Sequence, residues 1–151
     1  MTATPEMLKT QRVLIAEADE KLRELLSKRL LDADIFADVV ADGRAALQRL
    51  EERNYAMLIL DLALPVADGS AIIDRMRDLP AAQRPMILVT ALRGVTHTLD
   101  ADLVQIVLRK PFDVRQIAEI VASCLRSLEK RRKSGAQPSG EKDDRDSATA
   151  R

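Results

Sequence analysis

The chain has no tryptophan, one tyrosine, two phenylalanines, one cysteine and five glycines in 151 residues. With aromatics at 2%, a core must be built from Leu, Ile, Val, Ala and Met, and the scarcity argues against a module that stacks nucleobases on aromatic rings. A lone Cys124 cannot close an internal disulfide, and it reads as a small apolar residue on a helix. Formal net charge is zero, so no global field favours nucleic acid or an anionic membrane. No apolar run approaches the ~18 residues needed to span a bilayer, and Met1 to Gln11 lacks the apolar stretch of a signal peptide. A cytoplasmic protein without nucleic-acid or membrane contacts is the expectation.

What is present is a globular balance, 46% hydrophobic and 32% charged residues, long enough for one domain. Arg12–Ala16 reads as a short, fully buried strand, because its apolar run is continuous. Leu22, Leu25, Leu26, Leu30 and Ala33 then recur at helical spacing behind an Asp19 N-cap. Further strands are expected at Ile35–Val40, Ala56–Leu60, Met86–Val89 and Gln105–Leu108. Asp38 marks the second strand as one near a sheet edge. Helices carrying Ala46, Leu47 and Leu50, and then Ile72, Ile73 and Met76, follow the second and third strands. The last helix starts at Asp113 and sets Val114, Ile117, Ala118, Val121, Cys124, Leu125 and Leu128 on one face. Ala91–Asp102 has poor periodicity, so any helix there is short or mobile.

Five strands alternating with helices imply a parallel α/β sheet covered on both faces. The flavodoxin-like, doubly wound five-stranded (βα)5 arrangement is the natural one at this size. The expected organisation is a leader over residues 1–10, a folded domain over 11–129, and a disordered charged tail over 130–151, where apolar residues nearly vanish. The basic run Lys130–Lys133 reads as a solvated helix end whose cations suit the helix dipole.

All strands of a parallel sheet finish on one edge. Glu17 follows the first, Asp61 the third, Thr90 the fourth and Lys110 the fifth, so these side chains should meet. A carboxylate in such a crevice can attack an activated phosphoryl group and form an acyl phosphate. A hydroxyl and an ammonium can grip the phosphoryl oxygens, and neighbouring carboxylates can hold Mg2+.

The segments Val13–Glu17, Leu58–Pro65 with Asp68-Gly69, Val89-Thr90-Ala91 and Lys110-Pro111-Phe112 resemble the receiver domain of bacterial response regulators, over roughly residues 11–128. The resemblance implies Asp61 as phosphoacceptor, Thr90 as switch hydroxyl and Lys110 as phosphoryl contact, with Pro111 following a cis peptide. It implies Mg2+ held by Glu17, Asp61 and the backbone carbonyl of Ala63. It also implies a sensor histidine kinase or phosphotransfer protein as donor, and a downstream protein as partner, with pairing into a homodimer left open. Phosphorylation of this kind is a stoichiometric self-modification rather than enzyme turnover.

Two positions depart from the pattern. The family places a second acid after the first strand, where this chain has Ala18, so Mg2+ binding is expected to be weakened or lost. It commonly places an aromatic ring three residues before the lysine, where this chain has Val107. The alternative is therefore a pseudo-receiver that binds partners without phosphorylation. A phosphohydrolase with a strand-end aspartate would need another acid where Ala63 stands, and a DNA-binding regulator would need a helical output domain. A stand-alone receiver that signals by protein–protein contact is the expectation, using the last strand, its neighbouring helices and the Ala91–Asp102 segment.

Overall fold

The computed structural model describes residues 12–94 and 99–134. Its strands are β1 (Val13–Ala16), β2 (Ala37–Val40), β3 (Met57–Asp61), β4 (Met86–Leu92) and β5 (Val104–Lys110). Its helices are α1 (Glu20–Asp32), α2 (Gly43–Glu52), α3 (Gly69–Arg77) and α4 (Val114–Ser134). The strands form one parallel sheet in the order β2-β1-β3-β4-β5. That order is the flavodoxin-like doubly wound fold, in which the chain reverses its direction of progress at β1 and β3.

The alternation of the pleat divides the core into two layers. Leu14, Ala16, Leu58, Leu60, Ile87 and Val89 pack with Ala46 of α2 and with Ile72, Ile73 and Met76 of α3. Val13, Ile15, Met57, Ile59 and Leu88 pack on the other face with Leu26 and Leu30 of α1 and Ile117, Val121 and Leu125 of α4. Both layers are aliphatic, as the scarcity of rings requires. Each fully buried Leu or Ile contributes about 1.5–3 kcal/mol by leaving water. β3 lies at the centre with all five residues buried, whereas β2 is an edge strand with only Val40 buried.

Sequence periodicity placed the elements correctly and their ends less so. Ile35 and Phe36 precede β2 because Asp34 takes a left-handed turn (φ 63°) that closes α1, with Ile35 N–H donating to the Leu30 carbonyl. β4 and β5 run past Val89 and Leu108, since the ladder continues through Thr90–Leu108, Ala91–Arg109 and Leu92–Lys110. The polar residues after Val89 and Leu108 suggest strand ends there, yet backbone pairing is indifferent to side-chain polarity. Thr90 therefore lies within β4 and Lys110 closes β5. No helix joins β4 to β5 among the described residues; residues 95–98 of that segment lie outside them. α4 continues to Ser134, so the basic run that opened the expected tail is helical. The leader, with Gln11, and residues 135–151 fall outside the described residues.

Side-chain caps set the helix starts. Asp19 accepts from the N–H groups of Lys21 and Leu22, Asp42 from Ala45, and Asp68 from Ala71. Asp113 accepts from the N–H of Arg115 at the head of α4. Such caps contribute about 1 kcal/mol each. Asp38 collects Arg12 Nη1 at 2.7 Å, the Tyr55 hydroxyl at 2.6 Å, and Arg49 and Arg53 at 3.5 Å each. This clasp ties the edge strand to α2 and to the starts of β1 and β3.

Candidate functional site

The carboxyl edge of the sheet gathers polar side chains in an otherwise apolar interior. Glu17, Asp61 and Thr90 are the buried polar residues of the described core, exposed by 1%, 3% and 0%. Asp61 lies in register with Thr90 on the adjacent strand. Lys110 reaches in from the end of β5, its Nζ 3.1 Å from Glu17 Oε2 and 3.5 Å from Asp61 Oδ1. The peptide from Lys110 to Pro111 is cis. The four side chains picked from the sequence thus share one crevice, at the strand-order reversal where ligands of such sheets bind.

Backbone donors complete the crevice. Ala63 N–H donates to Asp61 Oδ1 at 3.0 Å and Ala18 N–H to Asp61 Oδ2 at 3.3 Å. Asp19 N–H donates to Glu17 Oε2 at 3.0 Å. Burial pushes the Glu17 carboxyl above its ordinary range, and the Asp61 charge adds to this against the Asp19 N–H and Lys110, which pull the other way. Thr90 Oγ1 is buried without a hydrogen-bond partner. An orphaned hydroxyl costs about 1–3 kcal/mol. A buried hydroxyl without a partner, on the residue in register with Asp61, suits a site that receives a polar group.

The β3–α3 loop is fixed by close approach. The Gly43 N–H donates to the Pro65 carbonyl, and a Cβ at Gly43 would collide with the Ala67 carbonyl oxygen. Val66 takes φ 74°, a strained backbone for a β-branched residue, with its side chain 77% exposed.

Sequence reasoning missed Arg23. It stands one turn into α1, and its Nη1 donates to the carbonyls of Glu17 at 2.8 Å and Ala18 at 3.4 Å. It pins the β1–α1 loop beside Asp61. Nothing in helical periodicity distinguishes such an arginine from a solvated one. Asp19, the nearest acid to position 18, is committed to capping α1.

The sequence model of the response regulator receiver domain matches residues 13–122. The chain belongs to this family. It is a receiver domain of two-component signalling. The transcriptional activator protein IrlR of Burkholderia pseudomallei is 34% identical over 122 residues, which cover 76% of this chain and 50% of that protein. The transcriptional regulatory protein PcoR of Escherichia coli is 32% identical over 123 residues, covering 77% of this chain and 52% of that one. The chain thus spans about half the length of these curated relatives. A CheY-like receiver domain from Methylobacillus flagellatus matches with a TM-score of 0.61 at 29% identity, covering 76% of this chain and 98% of that one. The receiver domain of sensor histidine kinase PA1611 from Pseudomonas aeruginosa shares the fold with a TM-score of 0.65 at 22% identity, covering 76% of this chain and 97% of that one. That structure has a magnesium ion coordinated in its active-site cleft.

The residues present here fit that ion poorly. Mg2+ demands six oxygens in near-ideal octahedral order. Ala18 offers a methyl group, Glu17 Oε2 already accepts from Lys110 and Asp19, and both Asp61 oxygens accept from N–H groups. The Glu17 and Ala18 carbonyls are taken by Arg23. Among the described residues no group of three or more His, Cys, Asp or Glu is placed to hold a metal. Nor is any described helix long and apolar enough to cross a membrane.

Proposed function

We propose that Asp61 is the phosphoacceptor of this receiver, charged by a sensor histidine kinase or a phosphotransfer protein. The observation that carries the proposal is the Thr90 hydroxyl, fully buried, unpartnered and in register with Asp61. A phosphoryl group on Asp61 would supply the acceptor that this hydroxyl lacks. Oδ1 of Asp61 is held by Ala63 N–H and Lys110, whereas Oδ2 keeps only the longer contact to Ala18 N–H. Oδ2 is therefore the freer nucleophile.

Lys110 serves as the phosphoryl contact and Thr90 as the hydroxyl that follows it. The product is an acyl phosphate on the protein itself, formed once per molecule rather than turned over. Output passes to a protein partner, and the face around β5 and α4 is where we place that contact. Mg2+ would be held only weakly by Glu17, Asp61 and the Ala63 carbonyl. Incubation with phosphoramidate followed by intact mass measurement tests the reading. One added phosphoryl group is expected on the wild type and none on Asp61→Asn. A wild-type protein that stays unmodified, or an Asp61→Asn protein that gains the same mass, removes Asp61 from the role.

A further inference from the structure

We infer that Lys110 takes the place of a divalent cation in this pocket, so that Asp61 is phosphorylated without Mg2+. The inference rests on the phosphoacceptor role of Asp61 and concerns how its site is neutralised. Two buried carboxylates need a counter-charge, and the Lys110 ammonium contacts both, at 3.1 and 3.5 Å. A divalent ion bridging Glu17 and Asp61 would have to displace that ammonium or share oxygens with it. Position 18, next to Glu17, contributes no carboxylate to reward the exchange. Arg23 removes two more oxygens from competition by binding the Glu17 and Ala18 carbonyls. Lys110 thus supplies beside Asp61 the positive charge that phosphoryl transfer requires.

The transfer balances without a metal. An Asp61 carboxylate oxygen forms a bond to phosphorus while the P–N bond of phosphoramidate breaks. The nitrogen of that donor already carries its proton, so ammonia leaves and no acid is consumed. The phosphoryl oxygens then meet Lys110 Nζ and the Thr90 hydroxyl.

The test pairs phosphorylation with direct metal binding on the full chain. The phosphoramidate reaction is followed by intact mass in EDTA and in MgCl2, and Mg2+ is titrated separately by calorimetry. Expected are Asp61-dependent rates that agree within about threefold in the two buffers, and no saturable binding below about 10 mM Mg2+. A rate at least about tenfold faster with Mg2+, or saturation below about 1 mM, overturns the inference and leaves Asp61 as phosphoacceptor. If neither buffer gives a phosphoryl mass, the phosphoacceptor reading fails, and the titration alone then decides what occupies the cation position. Ala18→Asp restores a carboxylate and should create both saturable binding and Mg2+-stimulated phosphorylation. Lys110→Met should also raise Mg2+ affinity, since it takes the competing ammonium away from Glu17 Oε2 and Asp61 Oδ1. A Lys110→Met protein that folds and binds Mg2+ no better than the wild type would show that the ammonium was never the competitor.

Discussion

Replacing Glu17 with glutamine should stabilise the folded protein at pH 7, although it removes one partner of a buried ion pair. The crevice holds two carboxylates and one ammonium. At an effective dielectric of about 20, the 3.1 Å Lys110–Glu17 contact is worth roughly 5 kcal/mol of attraction. Glu17 Oε2 and Asp61 Oδ1 both touch the same nitrogen, at 3.1 and 3.5 Å, so they lie within 6.6 Å of each other. Their repulsion at that limit is about 2.5 kcal/mol. Desolvating a carboxylate that is only 1% exposed costs several kcal/mol more. Cost and gain are close, so the sign must come from elsewhere. It comes from the Glu17 carboxyl, which sits above its ordinary 4.5, chiefly through burial, despite Lys110 and the Asp19 N–H. The surroundings therefore favour the neutral form on balance, and glutamine mimics that form.

The pH dependence follows. Below about 4.5 the carboxyl is neutral folded and unfolded, so its full contribution is present. As pH rises past 4.5 the unfolded chain releases the proton first, and stability is lost until the raised folded value is passed. Glu17→Gln should thus be more stable than wild type at pH 7 and lose that advantage at pH 4. Lys110→Met should lose about 3 kcal/mol at pH 7 by leaving two buried carboxylates uncompensated. Urea denaturation followed by far-UV circular dichroism suits a chain without tryptophan. A Glu17→Gln protein less stable than wild type at pH 7, or a gain that persists unchanged at pH 4, would refute the reasoning.

Other perturbations separate the working end of the sheet from its frame. Thr90→Val deletes an unpartnered buried hydroxyl, so it should stabilise the unmodified protein by about 1 kcal/mol while shortening the lifetime of the phosphorylated form, both readable by denaturation and timed intact mass. Tyr55→Phe loses a 2.6 Å bond to the Asp38 carboxylate and should cost about 1.5–3 kcal/mol in urea. The Tyr55 hydroxyl is pushed from 10.0 up to about 12, first by burial and then by Asp38. Its contribution is complete below pH 10 and is lost as pH rises toward 12, worth about 1–2 kcal/mol after discounting for solvent near the exposed guanidiniums. A Tyr55→Phe protein with the same alkaline stability profile as wild type would contradict this. Val66→Asn should gain about 1 kcal/mol, because asparagine tolerates the left-handed φ that valine resists and the exposed side chain packs on little. Gly43→Ala should cost more than about 3 kcal/mol, since its methyl has no space beside the Ala67 carbonyl.

The fold was legible because its signals are local. Continuous apolar runs such as Val13–Ala16 and Met57–Leu60 mark strands buried on both faces, and Asp19, Asp42 and Asp113 announce helix starts. Strand ends were less legible, because Thr90 and Lys110 look like loop residues until their backbone pairing is known. The site could be read from topology alone. A parallel sheet brings every strand's carboxyl end to one edge, so four separated residues could be placed together. Arg23, the Ala18 N–H and the Asp38 clasp were not legible. Each depends on where a long side chain or a backbone group points across the fold, and spacing does not encode that.

The two polar clusters of this sheet obey opposite rules, and the contrast bears on where function resides. Asp38 satisfies its carboxylate with three guanidiniums and a phenol. That cluster has an excess of donors, lies near the starts of β1 and β3, and has nothing left to offer a substrate. At the carboxyl edge the ratio inverts: two buried carboxylates share one ammonium, and a buried hydroxyl has no partner at all. Folding alone would favour removing each of those costs, as glutamine at 17 and valine at 90 should demonstrate. A phosphoryl group on Asp61, as proposed, would give the hydroxyl an acceptor and Lys110 a stronger anion than either carboxylate. The unsatisfied groups at this edge would then distinguish a phosphorylated state from the free one, whereas the satisfied Asp38 cluster would gain nothing from it.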